Sequence, residues 1–508
     1  MTDHSDPAPS PSGEPQPEKL VRGIGLVQAT SLNVANMVGV GPFITIPLFV
    51  ASMGGPQALV GWIIAAVLVL CDGLVWSELG AALPGSGGTY HFLREIYGRY
   101  RGGKLIAFLF IWQFVISGTL ELASGYIGAA GYLAYSVPSL ENSILELHAY
   151  SLEMSTFEWS LPLSLDAEEI ERVIYAPWVY RVPTVWNITW LQVVAALGAV
   201  AISISLCRNI RSLAWLAVVL CAGTLLTTLI VIVAGLLNFD SSLIKFSPDA
   251  FRLDKAFATG LGGAMLIAIY DYLGYYNVCH MGDEVVEPGK TIPRAVMISV
   301  VVVAAIYMTM NIAIMGVVPT DRLMASKNIA ADFMEILYGK QVAIGFSFFI
   351  IWAALASVFV MTLGYSRILY AAALNGDFFS VFGYLNPRGS YPTVSLLSLG
   401  ALTGVFCFFS LADVISAAVM VRIVVQFLGQ IFALHLLRTT RPDILLPFRM
   451  WLYPVPSLLA VSGWLFILIF QREYLLPAAV VLVSGILVYP LWRWIQSRQT
   501  PSSGSAIA

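Results

Sequence analysis

The sequence predicts an all-α membrane protein of twelve transmembrane helices, and three observations predict it. Only 11% of the 508 residues are charged, 58% are hydrophobic and mean hydropathy is +0.80, whereas soluble domains carry about 25% charged residues. The apolar residues form continuous runs long enough to cross a bilayer as helices, unlike the ~10-residue alternation of a barrel. The basic residues also alternate in density from loop to loop. A water-soluble surface cannot be built from 27 basic and 30 acidic residues at this length. That excludes a cytosolic enzyme, a secreted disulfide scaffold and a nucleic-acid binder; the partner expected from composition is the lipid bilayer. The net charge of −3 does not bear on partners. The five cysteines form no CxxC and the five scattered histidines no HExxH, so no disulfide, metal or cofactor is expected.

The elements follow in order. Residues 1–22 are polar, hold five prolines between Pro7 and Pro17, and are expected to form a disordered cytoplasmic tail, not a signal peptide. The membrane domain is expected over 23–496, with spans at 24–51, 56–83, 104–135, 188–207, 213–237, 257–282, 293–318, 341–366, 392–411, 414–437, 450–470 and 474–495. Each spans a ~30 Å core at about 1.5 Å per residue. Residues 497–508 form a second tail. With both termini cytoplasmic in the plasma (cell inner) membrane, 17 basic residues fall inside and 9 outside, as the positive-inside rule requires. The outside loop 136–187 holds eight acids against Arg172 and Arg181 and reads as a solvated cap. Asn187-Ile188-Thr189 is a glycosylation sequon at a span boundary.

Two spans are interrupted. Span 1 reads Asn36-Met37-Val38-Gly39-Val40-Gly41-Pro42, and the two glycines and a proline weaken a helix. Span 6 reads Gly260-Leu-Gly262-Gly263, then Tyr270-Asp271-Tyr272-Leu273-Gly274-Tyr275-Tyr276, with a carboxylate beside a glycine at membrane depth. Freed backbone groups in lipid must be satisfied by protein, water or a solute. Paired interruptions at the start of two five-span halves point to a transporter site at an inverted-repeat interface. The expected substrate-binding residues are therefore Asn36, Val38, Gly39, Val40 and Gly41 in the first break. Tyr270, Asp271, Tyr272, Gly274, Tyr275 and Tyr276 are expected from the second. Close packing of small residues is the competing explanation.

At these residues the chain resembles the amino acid–polyamine–organocation (APC) superfamily, from about Gly23 to Trp494. Gly39-Val-Gly41-Pro42-Phe43 resembles that family's break in helix 1. Ser77-Glu78-Leu79-Gly80 through Pro84 to Gly87-Gly88-Thr-Tyr90 is similar to its helix 2 ending. Gly282-Asp283-Glu284 through Arg294, Ser366-Arg367 with Tyr370, Asn375-Gly376-Asp377 and Pro447-Phe448-Arg449 resemble later loops. The resemblance implies a LeuT-like five-plus-five inverted repeat, with repeats over about 24–237 and 257–437 and peripheral helices over about 450–495. It implies alternating access around a central site, helix 1 amides holding a substrate carboxylate, and helix 6 carbonyls with Asp271 holding an amine. Span 5 has Thr224 where many proton-coupled relatives place a lysine. Span 8 offers Ser357 where sodium-coupled relatives tend to pair hydroxyls. A proton is the expected coupling ion ahead of sodium, or the protein exchanges substrates.

Four ionisable residues fall at membrane depth: Asp72, Glu121, Asp271 and Arg422. Such groups are functional candidates by default. Asp271 is expected to bind a cationic group or carry a proton, or else to cap a half-helix. Glu121 is expected to face the cavity and serve binding or coupling, or else to pair with Arg422. Arg422 is expected to snorkel, or to gate the outer vestibule by that pairing. Asp72 is expected to be a structural acid. Glu284, with Glu287 and Arg294, is a candidate inner gate. The tyrosine cluster suits an ammonium by cation–π attraction or serves packing. The expected function is secondary transport of amino acids or related amines. Polyamine transport is the nearest rival; a transport-incompetent sensor and a membrane enzyme are more distant ones.

Overall fold

The structure is a computed structural model that describes residues 22–85, 87–100, 102–148, 185–207, 210–387 and 391–499. The first tail (up to residue 21), most of the acidic outer loop and residues 500–508 lie outside the described residues.

The helices, in chain order, are α1 (Leu26–Met37), α2 (Gly41–Met53), α3 (Leu59–Ala82), α4 (Thr89–Tyr97) and α5 (Gly103–Ser136). Next come α6 (Trp190–Ser205), α7 (Ile210–Leu237), α8 (Lys255–Tyr272) and α9 (Pro288–Met315). Then α10 (Thr320–Ala325), α11 (Ile329–Tyr338), α12 (Lys340–Leu374) and α13 (Thr393–Phe406) follow. Last are α14 (Leu411–Arg422), α15 (Gly429–Thr440), α16 (Val455–Phe470) and α17 (Leu475–Gln499). Among the described residues six helices are long and apolar enough to cross a membrane, seven with the bent pair α1–α2, and four shorter apolar helices accompany them. This is a multi-pass membrane protein.

Two helical groups pack around the centre. In one, α1 and α3 pack on α9, and α2 and α3 pack on α8. In the other, α5 packs on α12 and α14, and α6 on α13. A π-helical turn, Ile423–Leu428, joins α14 to α15. Such turns recur at functional sites.

Three local features differ from the sequence expectation. Ser143–His148 pairs antiparallel with Val185–Thr189, a two-stranded ribbon that apolar runs do not announce. The sequon's Thr189 is the N-cap of α6 and forms a capping box with Gln192. The chain after span 2 forms a helix of its own that packs against protein: Tyr90, Phe92, Leu93 and Ile96 of α4 are buried, and Tyr97 donates to the Gly429 carbonyl at 2.9 Å.

Candidate functional site

The first break is built by the residues that the sequence marks. Pro42 stands in the first turn of α2, where its missing N–H costs nothing. Hence it starts a helix and does not kink one. Val38, Gly39 and Val40 turn the chain between α1 and α2, which meet at 53°. The freed carbonyls find hydroxyls. Tyr307 donates to Met37 O at 2.5 Å, capping α1. Pro47 inside α2 has no N–H for Phe43 O, and Tyr132 donates to that carbonyl at 2.7 Å instead. The amides of Val40 and Gly41 have no backbone carbonyl among the described residues, so the positive end of α2 is open.

The second break lies later than expected. Asp271 and Tyr272 belong to the last turn of α8, which is helical through Gly260, Gly262 and Gly263. Those three glycines are packing positions: a Cβ on Gly260 would meet Ser52 O at 2.6 Å, and one on Gly262 would meet the Phe470 side chain at 3.0 Å. The helix stops at Leu273, and Gly274 adopts φ +108°, a conformation open to glycine. A Cβ there would also overlap the Asn36 amide. The chain continues as 3-10 turns at Asn277–His280 and Gly282–Glu284, so no second α-helical half follows. Asn33 fixes it to α1 by accepting from Val278 N at 2.8 Å. Among the described residues the Asp271 and Tyr272 carbonyls accept no backbone N–H.

Both breaks face one small cavity of about 30 Å³. Its lining includes six expected residues, Asn36, Gly39, Val40, Gly41, Tyr270 and Asp271, together with Glu121. Asp271 is 3% exposed. Its Oδ2 accepts from Thr45 Oγ1 at 2.6 Å, while Oδ1 is buried without a partner and lies against Gly41, where a Cβ would overlap it. Tyr270 shares a short hydrogen bond with Ser124.

Five expected residues do not line the cavity. Val38 is buried beside it. Gly274 makes the turn. Tyr272 packs between Trp62 and Tyr307. Tyr275 donates to Asp72. Tyr276 stacks on Trp76, centroids 4.2 Å apart. The break turns these rings towards α3 and away from the cavity. Asp72 is the expected structural acid, accepting also from Trp76 at 3.0 Å and Trp464 at 3.5 Å. The lining that sequence reasoning missed is Met37, Gly125, Leu273 and Met361. These are apolar or small and carry no chemical signal. Ser357, noted only for ion coupling, presses on Gly39: a Cβ there would sit 2.5 Å from its Oγ.

Arg422 is fully buried and does not snorkel. Its Nη2 donates to Glu121 Oε2 at 2.6 Å, its Nε to Ser117 Oγ at 3.0 Å and its Nη1 to the Tyr276 hydroxyl at 3.4 Å. Tyr365 also donates to Glu121 Oε2, at 2.5 Å. Arg422 thus ties α14 to α5 and to the Tyr276 turn. Glu284 contributes its carbonyl, accepting from the Gly23 and Ile24 amides at 2.9 and 3.0 Å. Glu287 pairs with Lys290 at 2.9 Å, not with Arg294.

The α1–α2 break and the end of α8 meet at one buried cavity lined by Glu121 and Asp271. The chain belongs to the amino acid permease family, within the APC superfamily: the family model described as "Amino acid permease" matches residues 24–490. It is 24% identical to the serine/threonine exchanger SteT of Bacillus subtilis over 88% of this chain and 91% of that protein. It is 25% identical to the human cystine/glutamate transporter, covering 87% of this chain and 79% of that one. It is also 25% identical to the mouse large neutral amino acids transporter small subunit 2, covering 89% and 76%.

Proposed function

We propose that the protein is a secondary active transporter that moves amino acids or related amines across the plasma membrane by alternating access. The observation that carries this is the meeting of both helix breaks at one cavity. The open α2 amides suit a substrate carboxylate, and the α8 carbonyls with Asp271 suit its amine. Asp271 takes that role ahead of Glu121, because the Glu121 charge is already paired with Arg422, whereas Asp271 meets the neutral Thr45 hydroxyl. Twelve spans in a five-plus-five inverted repeat, with both termini cytoplasmic, fit the helix order and the basic loops. The packing of α1, α2, α3, α8 and α9 apart from α5, α6, α12 and α13 fits a bundle that rocks against a scaffold. Glu284 and the Arg422 layer then close the cytoplasmic side. Proton coupling or exchange supplies the driving force.

Reconstituted protein is expected to take up a labelled amino acid in response to a pH gradient or a counter-substrate. Binding without flux contradicts this and supports a sensor. Asp271→Asn is expected to raise the KM for amine-bearing substrates about tenfold, the worth of a charged hydrogen bond. The polyamine reading draws on the unpartnered Asp271 Oδ1 beside Tyr270. Labelled putrescine carried faster than any amino acid would favour it.

A further inference from the structure

Glu121 and Arg422 differ in their access to the cavity. Glu121 lines it, whereas Arg422 lies behind, 0% exposed, and is not part of the wall. Arg422 spends its donors on Glu121, Ser117 and Tyr276 and lies 5.7 Å from the centre of the Phe114 ring. The two contacts to the Glu121 carboxylate, from Arg422 and Tyr365, fall on Oε2. A full positive charge therefore stands one side chain away from the substrate position, screened by a carboxylate built into the protein.

We propose that Glu121 is a specificity-determining residue: it occupies Arg422 as an internal counter-ion, so that the cavity accepts neutral side chains and rejects acidic ones. This rests on the transporter reading above and narrows its substrate class. An acidic side chain entering here meets the Glu121 carboxylate first and finds the guanidinium already paired. Selectivity then comes from a repulsive element as much as from attraction. A basic side chain gains little from Glu121, whose charge is compensated. Of the substrates named for the similar proteins, serine, threonine and large neutral amino acids fit such a wall, and glutamate does not.

The test compares labelled L-serine, L-leucine and L-glutamate in counterflow with proteoliposomes of the full chain. Wild type is expected to carry a neutral amino acid at least about tenfold faster than glutamate. Glu121→Gln unmasks Arg422 and is expected to shift that ratio towards glutamate by about tenfold. L-glutamate is also expected to raise the thermal unfolding temperature of the detergent-purified variant and not that of wild type. Equal carriage of glutamate and neutral amino acids by wild type overturns the proposal and leaves the transporter reading intact. A folded Glu121→Gln that loses all three substrates in proportion also overturns it, since that is the result of a packing role. Should Glu121→Gln fail to fold, Glu121→Asp, which keeps the charge, decides beside the wild-type panel: it must keep the neutral preference, and glutamate carriage by it overturns the proposal. Folded wild type that moves none of the three, nor any other amino acid or amine, overturns the transporter reading and this proposal with it.

Discussion

Two buried carboxylate–guanidinium pairs in this molecule have the same chemistry and different completeness. Arg438 at the end of α15 grips Glu78 of α3 in a fork, Nε to Oε1 and Nη2 to Oε2, both at 2.6 Å. The Met450 amide adds a third bond to Oε2 at 2.7 Å, and the guanidinium lies 3.8 Å above the Tyr453 ring. Both Glu78 oxygens are engaged. Glu121 is held through one oxygen and borders the cavity. A saturated pair joins elements. A pair left open towards a cavity can respond to what enters it. Completeness of hydrogen bonding, more than burial, separates a structural pair from a site pair.

The largest effect that would break this comparison is on the saturated pair. Glu78→Gln leaves Arg438 uncompensated and is expected to cost about 3 kcal/mol, the lower end for a broken buried pair because Arg438 is partly solvated. Thermal unfolding of the purified variant measures it, and the ratio among substrates should stay unchanged. A selectivity change would place Glu78 with Glu121 and dissolve the distinction. Next, Tyr132→Phe removes the hydroxyl that replaces Pro47's missing donor at Phe43 O. The expected loss is about 2 kcal/mol, since the Phe43 carbonyl and the Ala330 amide, which donates to that hydroxyl at 3.1 Å, both lose their partner. Its transport should fall because α2 loses its fixed tilt.

The smallest effect concerns His91 on α4. Burial, the largest cause, holds its imidazole below the usual value of 6.5, against opposing pulls from Glu95 and Asp283. A histidine whose folded value is depressed contributes stability above its unfolded value and loses it as pH falls through that range. Wild type should therefore lose slightly more stability than His91→Gln between pH 7 and 5, read by parallel unfolding curves. Identical curves would show the ring to be free of the loop.

Much of this was legible in the sequence, and the exceptions have physical reasons. The apolar runs announced the long apolar helices, six of span length among the described residues and seven with the bent pair, because a bilayer demands length and little else. The first break was legible because glycine and proline act through the backbone, where sequence speaks directly. The second was placed too early. Asp271 looks like a helix breaker in an apolar run, but Thr45 reaches across from α2 to hold it, a contact between residues far apart in the chain. The real stop is Gly274, one glycine among several, distinguished by its φ. Asp72, Glu121 and Arg422 were legible as polar exceptions; which oxygen meets which donor was not. Met361 and Leu273 were silent because an apolar cavity wall and an apolar core use the same residues.

The central claim is that the open amides of α2, beside Asp271, bind the substrate that moves. Counterflow of a labelled neutral amino acid through wild type and Gly41→Ala tests it most directly. A Cβ on Gly41 would overlap Asp271 Oδ1, so the methyl forces that carboxylate away from those amides. Wild type is expected to accumulate label. Gly41→Ala, folded by its unfolding temperature, is expected to fall about 100-fold, the cost of misplacing a bound group by roughly 1 Å. Transport by Gly41→Ala at the wild-type rate would contradict the account.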